Sequence, residues 1–115
     1  MYPGADKFLP LAPATLHILI ALAGEDLHGY GIMKEISRHT DGAYNPGPGT
    51  LYDNLQRLIG QGVVQPVNRR IENDDPRRRY YRLTSLGRDV LSAEIARLER
   101  TIRDAKLKVQ TAKQV

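Results

Sequence analysis

The chain has 115 residues, 41% hydrophobic and 26% charged, which suits one compact domain with a core and argues against disorder. It has no cysteine, excluding a disulfide framework, a thiol nucleophile and a cysteine-ligated zinc, and fitting a reducing cytoplasm. No apolar run approaches the ~18 residues of a membrane span, the opening MYPGADKF lacks the order of a secretory signal, and the net charge is only +4.

Residues 1–8 read as an N-terminal tail. Pro13 suits the first turn of a helix, and the apolar run that follows predicts a buried helix closed by Gly24. His28-Gly29 opens a second helix, with Ile32, Met33 and Ile36 inward, Lys34, Glu35 and Arg38 outward, and Asp41-Gly42 as its end. Tyr44 to Gly49 reads as a turn because it holds two prolines and two glycines. A third helix is expected from about Thr50, with Leu51, Leu55, Leu58 and Ile59 on one face and Asp53, Gln56 and Arg57 on the other. Val63 to Ile71 and Arg79 to Leu83 read as two strands of a hairpin around a turn at 72–76. Thr84 or Ser85 caps a last helix, in which Leu91, Ile95, Leu98, Ile102, Ala105 and Val109 recur at spacings of 4, 3, 4, 3 and 4. Such a seam calls for a second helix, either of a second copy or of its own domain.

Three helices followed by a hairpin give a mainly α fold with a small β-hairpin, in the order of a winged helix-turn-helix. The boundaries expected are a tail at 1–8, a DNA-binding domain at 9–84 and a dimerisation helix at 85–115. Charge follows the same division. Residues 1–62 carry four basic and six acidic side chains, whereas residues 63–82 carry six arginines against three acids. Arg69, Arg70, Arg77, Arg78, Arg79 and Arg82 therefore fall in the proposed wing, where duplex phosphates would be met, although an arginine run can also be a solvated surface.

His28-Gly29-Tyr30-Gly31-Ile32, Gly49-Thr50-Leu51-Tyr52 with Leu55 and Arg57-Leu58, and Arg78 to Thr84 with Gly87 together resemble the PadR-like transcriptional regulators. The resemblance covers roughly residues 9–110. It implies a winged helix, dimerisation through the C-terminal helix, and repression relieved by a small molecule. The short tail resembles the compact branch of the family.

The candidate DNA-binding residues are Tyr44, Thr50, Tyr52, Asp53, Gln56, Arg57, Arg77, Arg78, Arg79 and Tyr80. Thr50 starts its helix, where a hydroxyl can cap or touch a phosphate. Tyr52 matches a family tyrosine that resembles a backbone contact, with a core role as the rival. Arg57 could reach a guanine or a phosphate; Asp53 could accept from a cytosine or pair with Arg57. Gly29 and Gly31 read either as tight-packing positions or as plain turn glycines.

The rival readings are an enzyme and a protein-interaction module. His17, His28 and His39 lie eleven apart, with no ligand cluster and no nucleophile–base pair, so neither catalytic site, metal nor other cofactor is expected. The partners expected are double-stranded DNA, a second copy of the chain and a small-molecule effector, with no membrane. With no Trp, an effector cavity between subunits would be small and mainly aliphatic, walled by Leu11, Leu16, Ile95 and Leu98, with Arg97 or Glu94 as polar anchors.

Overall fold

The computed structural model describes residues 4–68, 75 and 77–113. Helix α1 spans Pro13–Gly24, with proline in its first turn as expected, and buries Ile18, Leu19 and Leu22. Helix α2, Gly29–His39, buries Ile32 and Ile36 along one stripe. His28 is its N-cap: its Nδ1 accepts the Gly31 N–H at 3.0 Å, filling one of the orphan donors of a helix start. After His39 the chain reverses through Asp41 (φ 51°) and Gly42 (φ 75°), the second being a position only glycine takes without cost.

Helix α3 runs Pro48–Gly60 and buries Leu51, Leu55 and Leu58. It begins earlier than the composition of residues 44–49 suggests. Pro48 is inside the first turn, where its missing N–H was never needed, so Pro-Gly here starts a helix and does not continue a turn. Gly62, at φ 77°, ends the helix and lets the Val63 N–H reach back to the Leu58 carbonyl at 2.9 Å.

The sheet departs from a two-stranded hairpin. Strands β1 (Leu27–His28), β2 (Val64–Val67) and β3 (Tyr80–Leu83) form one antiparallel sheet in the order β1-β3-β2. Two-residue β1 carries no alternation for a sequence reading to detect, yet it pairs Leu27 with Tyr81 and His28 with Tyr80. Strand β2 is shorter than expected and stops at Val67; Arg69, Arg70 and Ile71 lie outside the described residues. Pro66 is tolerated because β2 is an edge strand.

Helix α4 runs Ser85–Lys113. Thr84 caps it, accepting the Gly87 N–H at 3.0 Å while donating to the Gly62 carbonyl at 2.6 Å, so one side chain joins the end of α3 to the start of α4. Val90 and Leu91 are buried in the core, whereas every residue from 99 to 112 is exposed.

Residues 5–8 are not a free tail. They form a 3-10 turn packed on α4, with Ala5 buried. Beyond the cis Leu9–Pro10 bond, the Leu11 N–H donates to Glu94 Oε2 at 2.7 Å. Glu94 is 1% exposed and also takes the Arg97 guanidinium. Its carboxyl is held below the ordinary range, first by that Arg97 hydrogen bond and further by the Leu11 amide, against the opposing effect of burial. Glu94 is thus committed inside the subunit and is no open anchor for a ligand.

Candidate nucleic-acid interface

Burying Leu51, Leu55 and Leu58 turns Thr50, Tyr52, Asp53 and Gln56 of α3 outward, where all four are exposed. Tyr52 is 44% exposed, and its phenol lies across the Cα of Gly29 so closely that a methyl there would stand 2.2 Å from the hydroxyl. Gly29 is therefore a close-approach position, which separates it from Gly31, where an added methyl would meet only ordinary contacts.

From Tyr52 a groove of about 600 Å³ runs to the wing, bounded by His28, Tyr30 and the main run of arginines 77–79. Arg79 is exposed. Arg78 Nη1 lies 3.0 Å from His28 Nε2, which sets the wing against the cap of α2. Arg77 is exposed, but Asp75 takes its Nε and Nη2, each at 3.2 Å. The Asp75 carboxyl is held below its usual range by that side-chain bond first, then by the Arg77 main-chain N–H. Arg82 is spent internally. It forms a two-pronged ion pair with Asp26, at 3.0 and 2.7 Å, that clamps the approach to β1 against β3.

Three expected residues are placed elsewhere. Tyr80 is 6% exposed and sits edge-on to the His28 ring, beneath the groove. Tyr44 is half-buried against His17, with ring centroids 5.2 Å apart, and its N–H donates to Thr40 Oγ1 at 3.2 Å. It shapes the turn into α3 and faces inward. Arg57 reaches neither Asp53 nor the groove: its Nη2 donates to Thr15 Oγ1 on α1 at 3.1 Å and to Asn54 Oδ1. Conversely, the sequence reading left out Tyr30 and Lys34. Tyr30 is exposed beside the groove, stacked with His28 at 6.4 Å and with the Lys34 ammonium 5.5 Å from its ring centre. The His-Gly-Tyr-Gly block was the available signal, since it puts Tyr30 in the first turn of α2 next to the wing.

The histidines do not converge. His17 Nδ1 lies 3.0 Å from His39 Nε2, while His28 is engaged at the cap and the wing. Burial first, and His39 second, push the His17 ring below its ordinary pKa. Among the described residues no cluster of three or more His, Asp or Glu could hold a metal, and no helix is long and apolar enough to cross a membrane.

The seam of α4 divides in two. Leu91 is buried in its own subunit, whereas Ile95 (45% exposed), Ile102 (52%) and Val109 (59%) stand open, with Ala105 exposed and Leu98 half-buried between them.

This arrangement has known counterparts. The model of the transcriptional regulator PadR-like family matches residues 18–93. Transcriptional regulator Rv3488 of Mycobacterium tuberculosis is 38% identical over 93 residues, covering 81% of this chain and 82% of that protein. A transcriptional regulator from Clostridium thermocellum superposes with a TM-score of 0.69 at 29% identity, over 81% of this chain and 86% of that one. Bacillus subtilis PadR, solved in complex with operator DNA, shares the fold with a TM-score of 0.63 at 20% identity, over 75% of this chain and 48% of that one. The chain belongs to the PadR-like family of transcriptional regulators.

Proposed function

We propose that this PadR-like regulator is a cytoplasmic repressor that binds a pseudo-palindromic operator as a homodimer, its effector being a small molecule. The observation that carries the reading is the exposed face of α3, with Thr50, Tyr52, Asp53 and Gln56, set beside a wing that presents Arg77, Arg78 and Arg79. In the duplex, α3 occupies a major groove and the wing follows the backbone. Gln56 and Asp53 are then the base readers, for adenine and for a cytosine amino group respectively. Thr50, Tyr52, Arg78 and Arg79 are the phosphate contacts, with Arg78 set beside His28. Tyr44, Arg57 and Tyr80 act by shaping the interface and do not touch DNA.

The homodimer rests on α4. An apolar stripe from Ile95 to Val109 on a helix otherwise carrying Arg100, Arg103, Lys106 and Lys108 is what a partner helix buries. The division of labour is a DNA-binding unit over 9–84 and a pairing helix from 85 onward, with the first turns of α4 shared between both tasks. Two α3 helices held this way fit half-sites about 34 Å apart, or a multiple of that. Selection from random duplexes followed by footprinting tests the reading. A symmetric protected site with two half-sites is expected, and binding that is indifferent to sequence at every salt concentration would defeat it.

A further inference from the structure

A second concavity, of about 410 Å³, lies within one subunit, between residues 7–12, the start of α1 and the end of α3. Its volume is within the ~300–1,000 Å³ usual for small-molecule sites. Its floor is apolar: Leu19, Leu58, Val63 and Val90 line it, and all four are buried. Two cations, Lys7 and Arg57, stand on its wall, and no Asp or Glu among the described residues lines it. Arg57 differs from four other arginines of the described chain. Arg38, Arg77, Arg82 and Arg97 each hold a carboxylate, whereas Arg57 holds only the neutral oxygens of Thr15 and Asn54, both through Nη2. A guanidinium has five N–H donors, so most of them remain for a ligand.

We infer that this cleft binds a small organic monocarboxylate with an unbranched apolar chain, its carboxylate on Arg57 and its chain along the floor. Fork-to-fork pairing is what an arginine with free donors and no acidic neighbour offers, and a low-polarity floor strengthens it. Lys7 adds positive charge that favours an anion over a neutral alcohol. The site is joined to the DNA face through a short chain of bonds. Thr15 Oγ1 donates to Asn54 Oδ1 at 2.9 Å, and Asn54 Nδ2 donates to the Thr50 carbonyl at 2.8 Å, two residues before Tyr52. A carboxylate that draws Arg57 away competes with its bonds to Thr15 Oγ1 and Asn54 Oδ1, and so alters how α3 is seated on α1. That regulatory consequence rests on the DNA-binding reading above; occupation of the cleft does not.

Calorimetric titration of the full chain, without DNA, uses octanoate, 1-octanol and inorganic phosphate as probes. Octanoate is expected to saturate one site per subunit. Octanol and phosphate should each bind at least about tenfold more weakly, as loss of one charge-assisted contact implies. Arg57→Gln should weaken octanoate to the level of octanol, Arg57→Lys should restore part of the affinity, and Arg103→Gln on the exposed part of α4 should change nothing. Circular dichroism and the Tm of each variant check the fold. Equal octanoate affinity in Arg57→Gln, octanol binding as tightly as octanoate, or no saturation at millimolar octanoate would each overturn the proposal. Octanoate is then titrated into the protein–operator complex. If it binds through Arg57 and leaves DNA affinity unchanged, the cleft stands and its coupling to α3 is refuted. Absence of any DNA binding would refute the functional reading and leave the calorimetric result intact.

Discussion

Gly29→Ala isolates the contact that places Tyr52. The new methyl would stand 2.2 Å from the Tyr52 hydroxyl, 2.8 Å from Cζ and 3.2 Å from Cε1. Ordinary contact needs about 3.5 Å, so the tip of the ring must retreat by roughly 1 Å. The ring is 44% exposed and can swing into solvent, which keeps the stability cost near the bottom of the overpacking range, about 1 kcal/mol. Exchanging glycine for alanine in a helix returns up to ~1 kcal/mol, so the net loss expected is between about 0 and 1 kcal/mol. Affinity for DNA should suffer more, because a hydrogen bond to a charged phosphate is worth about 1.5–3 kcal/mol, or roughly 10- to 150-fold per contact. The assay is a double-mutant cycle of Gly29→Ala and Tyr52→Ala, followed by urea unfolding and by titration of duplex DNA. Tyr52→Ala alone should lose a similar factor in affinity. In that background Gly29→Ala should cost no further affinity and should stabilise the fold by up to ~1 kcal/mol. If Gly29→Ala lowers affinity by the same factor with or without the tyrosine, the clash is not the route and Tyr52 does not mark the DNA face.

Replacing Arg77, Arg78 and Arg79 together with alanine should lower the salt slope of DNA binding by ~1.8 units if two of them meet phosphate, at ~0.9 per contact. A binding titration over a salt series reads it, and an unchanged slope removes the wing from the interface. Ile102→Lys places a charge on the half-exposed stripe of α4 and should give monomers by sedimentation and abolish cooperative operator binding; a dimer that survives the change means the helices do not pair through this seam. Stability should fall as pH drops below about 6.5, the ordinary value for histidine, because His17 has its pKa lowered by burial and by His39. The unfolded chain binds that proton more readily than the folded one, so the contribution is complete above 6.5 and is lost towards the lower folded value. Urea unfolding of His17→Gln should show a shallower dependence between pH 5 and 7, and an unaltered pH profile would assign the effect to other groups. The carboxylates held low by arginines, Glu35, Asp75 and Glu94, act in a separate window below about 4.5, losing stability only as they protonate.

The order of the helices was legible because its punctuation is local. Pro13 and Pro48 supply helix starts, Gly42 and Gly62 supply left-handed stops, and Thr84 supplies a cap, each readable within a few residues. Composition places Pro48 in the turn because proline and glycine break helices in their interiors, while the first turn tolerates both. Strand β1 was not legible because two residues cannot show a period; only its pairing with β3 makes it a strand. The docking of residues 5–8 was hidden for a related reason, since its partners on α4 lie some eighty residues away.

The wheel of α3 accounts for where the structure places the candidate site residues. At 3.6 residues per turn, each residue advances about 100°, so Arg57 stands roughly 140° from Tyr52 and only about 60° from Asn54. Periodicity alone puts both Tyr52 and Arg57 off the leucine face and leaves them equivalent. What distinguishes them is the neighbour on each flank. The flank of Tyr52 meets Gly29 and the wing, whereas that of Arg57 and Asn54 meets Thr15 on α1. Which flank faces which neighbour is fixed by the packing of α1, α2 and α3 together, through contacts that no window of the sequence contains. An arginine on a recognition helix is therefore weak evidence for a DNA contact until its flank is known. Here the flank gives Arg57 neutral partners over an apolar cleft, while Arg77, Arg78 and Arg79 gather positive charge on the wing.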